Sequence, residues 1–162
     1  MIKKTKVLIA MGGTGGHVLP GYNLAKHLYS NNFEVELVTD KRGFKYLKSK
    51  NKLNVSILPS SPLVKKNIVT LIFSLIKIFF SLIKSIILLF LKKPSIIFGM
   101  GGYASFPICI AAKILKIEFI IYENNLIIGK TNKILLPYAK KIFVSHKELE
   151  GMPIEYNDKV LE

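Results

Sequence analysis

Six short runs of β-forming apolar residues recur along the chain, and stretches of helical character separate them. The runs cover residues 7–11, 33–38, 54–58, 95–98, 119–122 and 141–144, with helical stretches at about 20–31, 42–50, 67–91, 104–116 and 128–139. Strand alternating with helix leaves few folds open. It implies an α/β domain whose parallel sheet is covered on both faces. Right-handed crossovers make a doubly wound, Rossmann-like order the expected topology. The 162 residues suit one domain, and 50% hydrophobic content is enough to build its core. Ser145 and Glu148 have capping-box spacing, so another helix is expected to start there.

Composition narrows the partners. The net charge is +14, yet Arg42 is the lone arginine among 24 basic residues. Readers of bases and phosphates favour bidentate arginine, so a nucleic-acid partner is not expected. A lysine field suits an anionic membrane surface, although drift in an AT-rich genome yields the same bias. The single cysteine, Cys109, sits in apolar sequence and reads as core. No Cys/His cluster has zinc spacing, so no metal is expected. The basic start and the short apolar run up to Met11 are too brief for a signal-peptide core, which points to the cytoplasm.

Chemistry is concentrated in two glycine loops. Gly12-Gly13-Thr14-Gly15-Gly16-His17 follows the first strand, with Pro20 placed to suit the first turn of a helix. A strand, a glycine loop and a helix N-terminus together make an anion site for a phosphate. The dinucleotide fingerprint is imperfect, because Val18 stands where a third Gly or Ala belongs; Asp40 does sit where a ribose-binding acid would. His17 beside such a loop can accept a proton. Gly99-Met100-Gly101-Gly102-Tyr103 follows the fourth strand and should open on the same crevice, which suits a pyrophosphate ligand. Glu123 and Asn125, after the fifth strand, could bind sugar hydroxyls or simply cap a loop.

The stretch 68–91 holds 18 apolar residues and six polar ones, Thr70, Ser74, Lys77, Ser81, Lys84 and Ser85. The six polar residues share one helical arc about 100° wide. The length would allow a membrane span. Strands before and after it must join one sheet, however, and a single crossing would separate them. The helix should therefore lie with one face on the sheet and the other, with Ile72, Phe73, Ile76, Phe79, Phe80 and Ile83 flanked by Lys77 and Lys84, on a membrane interface.

Taken in order, residues 11–17, Pro20-Gly21, residues 99–103, Glu123-Asn124-Asn125 and residues 129–133 resemble the MurG family of peptidoglycan N-acetylglucosaminyltransferases. The resemblance runs over roughly residues 5–150. It implies the N-terminal half of a GT-B glycosyltransferase at the cytoplasmic face of the bacterial inner membrane, peripherally attached. The implied reaction transfers GlcNAc from UDP-GlcNAc, with inversion and no bound metal or cofactor. Its acceptor is the MurNAc 4-hydroxyl of undecaprenyl-pyrophosphoryl-MurNAc-pentapeptide (lipid I).

By that resemblance His17 is the candidate base. Thr14, Gly15, Gly16 and Asn125 meet the donor, and Gly13, Gly101, Gly102, Tyr103 and Glu123 meet the acceptor. Tyr122 stands where some members carry His, and Asn124 where Gln is common. Residues 1–162 would form the acceptor-binding domain, with 66–93 as its membrane-associating helix. The donor-binding domain would be a missing C-terminal segment or a separate subunit. Two other readings stay open: a non-catalytic membrane-anchoring subunit of a split transferase, and a nicotinamide- or flavin-binding oxidoreductase.

Overall fold

A computed structural model describes residues 4–47, 53–61, 67–146 and 149–161. Its elements run β1 (Lys6–Ala10), α1 (Gly15–Ser30), β2 (Glu34–Thr39), α2 (Lys41–Phe44), β3 (Asn54–Ile57), α3 (Ile68–Lys92), β4 (Ile96–Gly99), α4 (Ser105–Ile114), β5 (Phe119–Glu123), α5 (Lys130–Leu135), β6 (Lys141–Val144), a 3-10 helix (Ile154–Lys159) and β7 (Val160–Leu161). The strands form one sheet in the order β3-β2-β1-β4-β5-β6-β7, and every pairing is parallel. The order reverses direction between β1 and β4, as the doubly wound reading requires.

The pleat sorts the core into two layers. Along β1, Leu8 and Ala10 join the cluster under α3, α4 and α5, while Val7, Ile9 and Met11 join the cluster under α1. Successive side chains point to opposite faces, so a strand apolar throughout has to be covered twice.

Four elements differ from expectation, one of them α5, which covers only Lys130–Leu135 of the expected 128–139. Helix α1 begins at Gly15, five residues before the expected 20, so Pro20 lies inside it and not in its first turn. The helix expected over 42–50 is one turn at Lys41–Phe44; residues 48–50 lie outside the described residues. At the C-terminal end, Lys147 and Glu148 of the expected capping box also lie outside them. Past them the chain forms a bridge from Glu150 to Ile127, the 3-10 helix and β7.

Helix α3 is capped at both ends. Asn67 accepts from Thr70 N at 2.8 Å while Thr70 Oγ1 accepts from Asn67 N at 3.2 Å, a reciprocal capping box. At the other end Lys93 adopts a left-handed conformation, and Pro94 follows. Lys92 reaches back to the buried Glu36 of β2 at 2.7 Å.

The packing of α3 departs from expectation more sharply. Its buried residues are Ser74, Ser81, Ser85 and Leu89, and its main neighbour is α4, not the sheet. The small serines allow close helix approach. Ser81 Oγ donates to Pro59 O at 2.6 Å, and Ser85 Oγ donates to Ser81 O at 2.7 Å. The polar arc therefore faces the protein and the apolar arc faces outward. Ile72, Phe73, Ile76, Phe79, Phe80 and Ile83 are all exposed, as are Leu75, Ile87, Phe90 and Leu91. Lys77 and Lys84 lie on one flank of that surface, beside the turn after β2. By length and composition α3 could cross a membrane. The strands on either side of it, β3 and β4, nonetheless belong to one sheet.

Candidate active site

Three turns meet at the carboxyl edge of the sheet, following β1, β4 and β5. In the first, Thr14 is extended and α1 starts at Gly15. Proline at position 20 has no N–H for the Gly16 carbonyl four residues back. That carbonyl accepts instead from Asn124 Nδ2 at 3.0 Å. Pro20 and Asn124 thus tie the turn after β5 to the start of α1.

Asp40 braces the same turn. Its carboxylate accepts from Gly13 N at 3.1 Å, Gly43 N at 2.7 Å and Ser60 Oγ at 2.6 Å, with Arg42 Nε at 3.4 Å. Burial pushes the Asp40 pKa up, but hydrogen bonds from Ser60, Gly43 and Gly13 and the Arg42 charge outweigh it. The net value lies below the ordinary carboxylate range. A carboxylate engaged in this way cannot hold a ribose, so the oxidoreductase reading loses its acid. The Gly13 amide is engaged too.

In the second turn Gly101 and Gly102 have φ of +85° and +75°. A methyl group on Gly101 would lie 3.0 Å from both Cε1 and Nδ1 of His17; one on Gly102 would lie 2.9 Å from the Gly12 carbonyl oxygen. Glycine is required twice over there, for backbone angle and for space. The result presses the loop against the imidazole. His17 Nδ1 is buried and has no partner among the described residues.

Glu123, 1% exposed, organises the third turn. Its Oε1 accepts from Asn125 N at 3.1 Å and Asn125 Nδ2 at 2.6 Å; its Oε2 accepts from Gly129 N at 2.8 Å and Asn132 Nδ2 at 2.9 Å. Four donors fill a carboxylate. Asn132 also donates to the Tyr122 carbonyl at 2.9 Å, and its Oδ1 is buried with no partner among the described residues. The Tyr122 hydroxyl pairs with Ser145 Oγ at 2.6 Å.

The turns enclose a cleft of about 220 Å³ lined in part by His17, Gly101, Gly102, Tyr103, Glu123 and Asn125. Six residues singled out in the sequence therefore converge. Thr14, Gly15 and Gly16 do not line it: Thr14 and Gly16 are exposed, and Gly15 backs onto the Tyr46 ring. Gly129, Lys130, Thr131 and Asn132 do line it, and the sequence reading gave them no individual role. Lys130 carried a signal, since a cation at the first position of a helix opposes the helix dipole. Asn132 carried none, because its burial follows only from the fold. Cys109 is fully buried, which pushes its thiol pKa up. No cluster of three or more His, Cys, Asp or Glu suited to a metal occurs among the described residues.

Comparison with known proteins adds four findings. Residues 7–144 match the family model for the glycosyltransferase family 28 N-terminal domain. A UDP-N-acetylglucosamine–N-acetylmuramyl-(pentapeptide) pyrophosphoryl-undecaprenol N-acetylglucosamine transferase of Pelagibacter ubique is 36% identical over 155 residues, covering 96% of this chain and 43% of the relative. The crystal structure of Acinetobacter baumannii MurG superposes with a TM-score of 0.75 at 25% identity, covering 93% of this chain and 43% of that one. A Neisseria meningitidis UDP-GlcNAc 2-epimerase bound to UDP-GlcNAc shares the fold at TM-score 0.67 and 17% identity, over 97% of this chain and 45% of that one. The chain thus spans less than half the length of the relatives it matches.

Proposed function

The chain belongs to the glycosyltransferase family 28 N-terminal domain family, and from that membership we propose that it is the acceptor-binding, membrane-facing half of an inverting hexosyltransferase. The proposed reaction moves GlcNAc from UDP-GlcNAc to the MurNAc 4-hydroxyl of undecaprenyl-pyrophosphoryl-MurNAc-pentapeptide. The Pelagibacter relative, a transferase named for these two substrates, supports that substrate pair. One observation carries the reading for this chain: the second glycine loop is pressed against His17, which lines one cleft together with Lys130.

In this account His17 removes the proton of the 4-hydroxyl as that oxygen attacks the anomeric carbon from the face opposite UDP. Attack from that face inverts an α-linked donor to a β-linked product. Nδ1 is buried against Gly101, which leaves Nε2 for the substrate. Lys130 and Tyr103 border the space for the acceptor diphosphate and sugar. Glu123 acts as a positioning residue, fixing Asn125 and Asn132 rather than offering a free lone pair. Thr14, Gly15 and Gly16 form the rim that a donor-binding domain would face, and Asn125 reaches the cleft beside them. Residues 1–162 are then the acceptor domain, and the donor domain lies in a further segment or subunit.

The outward apolar face of α3, flanked by Lys77 and Lys84, supports peripheral attachment to an anionic membrane. For a lipid-borne acceptor the relevant surface is the cytoplasmic leaflet of the inner membrane.

The test is transfer itself. The chain joined to a family donor-binding domain should convert the acceptor, and His17→Ala should lower kcat by ~10²–10⁴-fold. A variant that kept near-full rate would remove His17 as the base.

A further inference from the structure

A second cavity, about 490 Å³, lies between α3, α4 and α5. Its walls include Ile78, Phe106 and Ile134, and it shares Tyr103, Lys130 and Thr131 with the cleft at His17. The two spaces therefore meet at one tyrosine, one lysine and one threonine, polar on one side and apolar on the other. We propose that this second cavity is an isoprenoid slot that takes the first prenyl units of a polyprenyl diphosphate, with Lys130 at the junction holding the diphosphate. The proposal rests on the reading of the cleft as the acceptor site and adds the place where the lipid tail leaves it.

Helical geometry supplies the exit. At about 100° per residue, Ile78 falls between the packed Ser74 and Ser85 on one side and the exposed Leu75 and Phe79 on the other. The slot wall is thus continuous with the outward face of α3. It lies on the flank opposite Lys77 and Lys84, which border a separate cavity beside Asp40. A tail entering from the cleft would pass Tyr103, cross Phe106 and Ile134, and emerge at the membrane-facing surface, with Lys130 the one charged residue among the described residues that line the cavity. A space of this size lies within the range of small-molecule sites, ~300–1,000 Å³, and accommodates the start of a chain rather than a long polyprenol.

The measurement is calorimetric titration of the chain with inorganic diphosphate, farnesyl diphosphate and farnesol. Farnesyl diphosphate should bind at least tenfold more tightly than inorganic diphosphate. Ile134→Glu, at a half-exposed position, should abolish that gain and leave inorganic diphosphate affinity unchanged. Ile87→Glu, on the outer face of α3 away from the slot, should leave the gain intact. Equal binding of the two diphosphates, no binding of farnesyl diphosphate, or loss of the gain in Ile87→Glu would each overturn the slot. Farnesol binding that Ile134→Glu removes, without any inorganic diphosphate binding, would support the slot while counting against the diphosphate reading of the cleft.

Discussion

The residues that matter most here act by positioning one another. Glu123 is the plainest case, because its carboxylate takes four donors from the turn after β5 and from α5. Glu123→Ala would strand the Gly129 amide and the Asn132 side chain in the interior, a loss of ~2–4 kcal/mol from unsatisfied groups. Urea denaturation should register it, and Glu123→Gln should recover only part of it. Asp40 makes a pH-dependent contribution. Its folded pKa lies below the ordinary carboxylate range, so the stabilisation is complete above the unfolded value. It disappears as pH falls through the folded one. Unfolding free energies measured from pH 7 down to pH 2 should therefore fall more steeply for the wild type than for Asp40→Asn. The sequence placed both acids at strand ends but could not tell a binding acid from a bracing one. That difference lies in their donors, which come from residues as far away as Ser60 and Asn132.

Elements were legible in proportion to how strongly a local pattern fixed them. Strand β6 lies at the expected residues, and β1 to β5 fall within one or two of theirs, because buried parallel strands are short apolar runs bounded by turns. Helix α1 was expected too late, since Gly15 and Gly16 are poor helix formers and Pro20 looks like a first-turn residue. Its true start depends on Asn124, which satisfies the carbonyl that Pro20 leaves open. Strand β7 is two residues long, too short for periodicity to reveal. For α3 the polar arc was visible but its direction was not. Three serines are small enough to be buried on the inner side of α3, so the helix buries its polar edge and presents its isoleucines and phenylalanines. Phe79→Glu should then change folding stability by no more than ~0.5 kcal/mol, as for an ordinary surface site. It should reduce binding to phosphatidylglycerol vesicles at least tenfold, as the burial energy of a phenylalanine implies. Ser81→Leu should do the reverse, destabilising the fold by ~1–3 kcal/mol through overpacking. Vesicle flotation together with thermal melts would separate the two effects.

At the scale of the whole molecule, one edge of the sheet and one helix face define the working surface. The cleft at His17 and the cavity beside α3 share Tyr103, so on the proposed reading a substrate held at the membrane would present its sugar at the sheet edge. With a net charge of +14, long-range attraction to acidic bilayers should weaken with salt, while the apolar contact of α3 should not. On the proposed reading, this chain recognises the lipid-linked acceptor. The most direct measurement is flotation of the chain with vesicles of fixed phosphatidylglycerol content, with and without undecaprenyl-pyrophosphoryl-MurNAc-pentapeptide. The account predicts a higher bound fraction when the acceptor is present, and loss of that increment in Lys130→Ala with basal vesicle binding unchanged. Equal binding to both kinds of vesicle would contradict it.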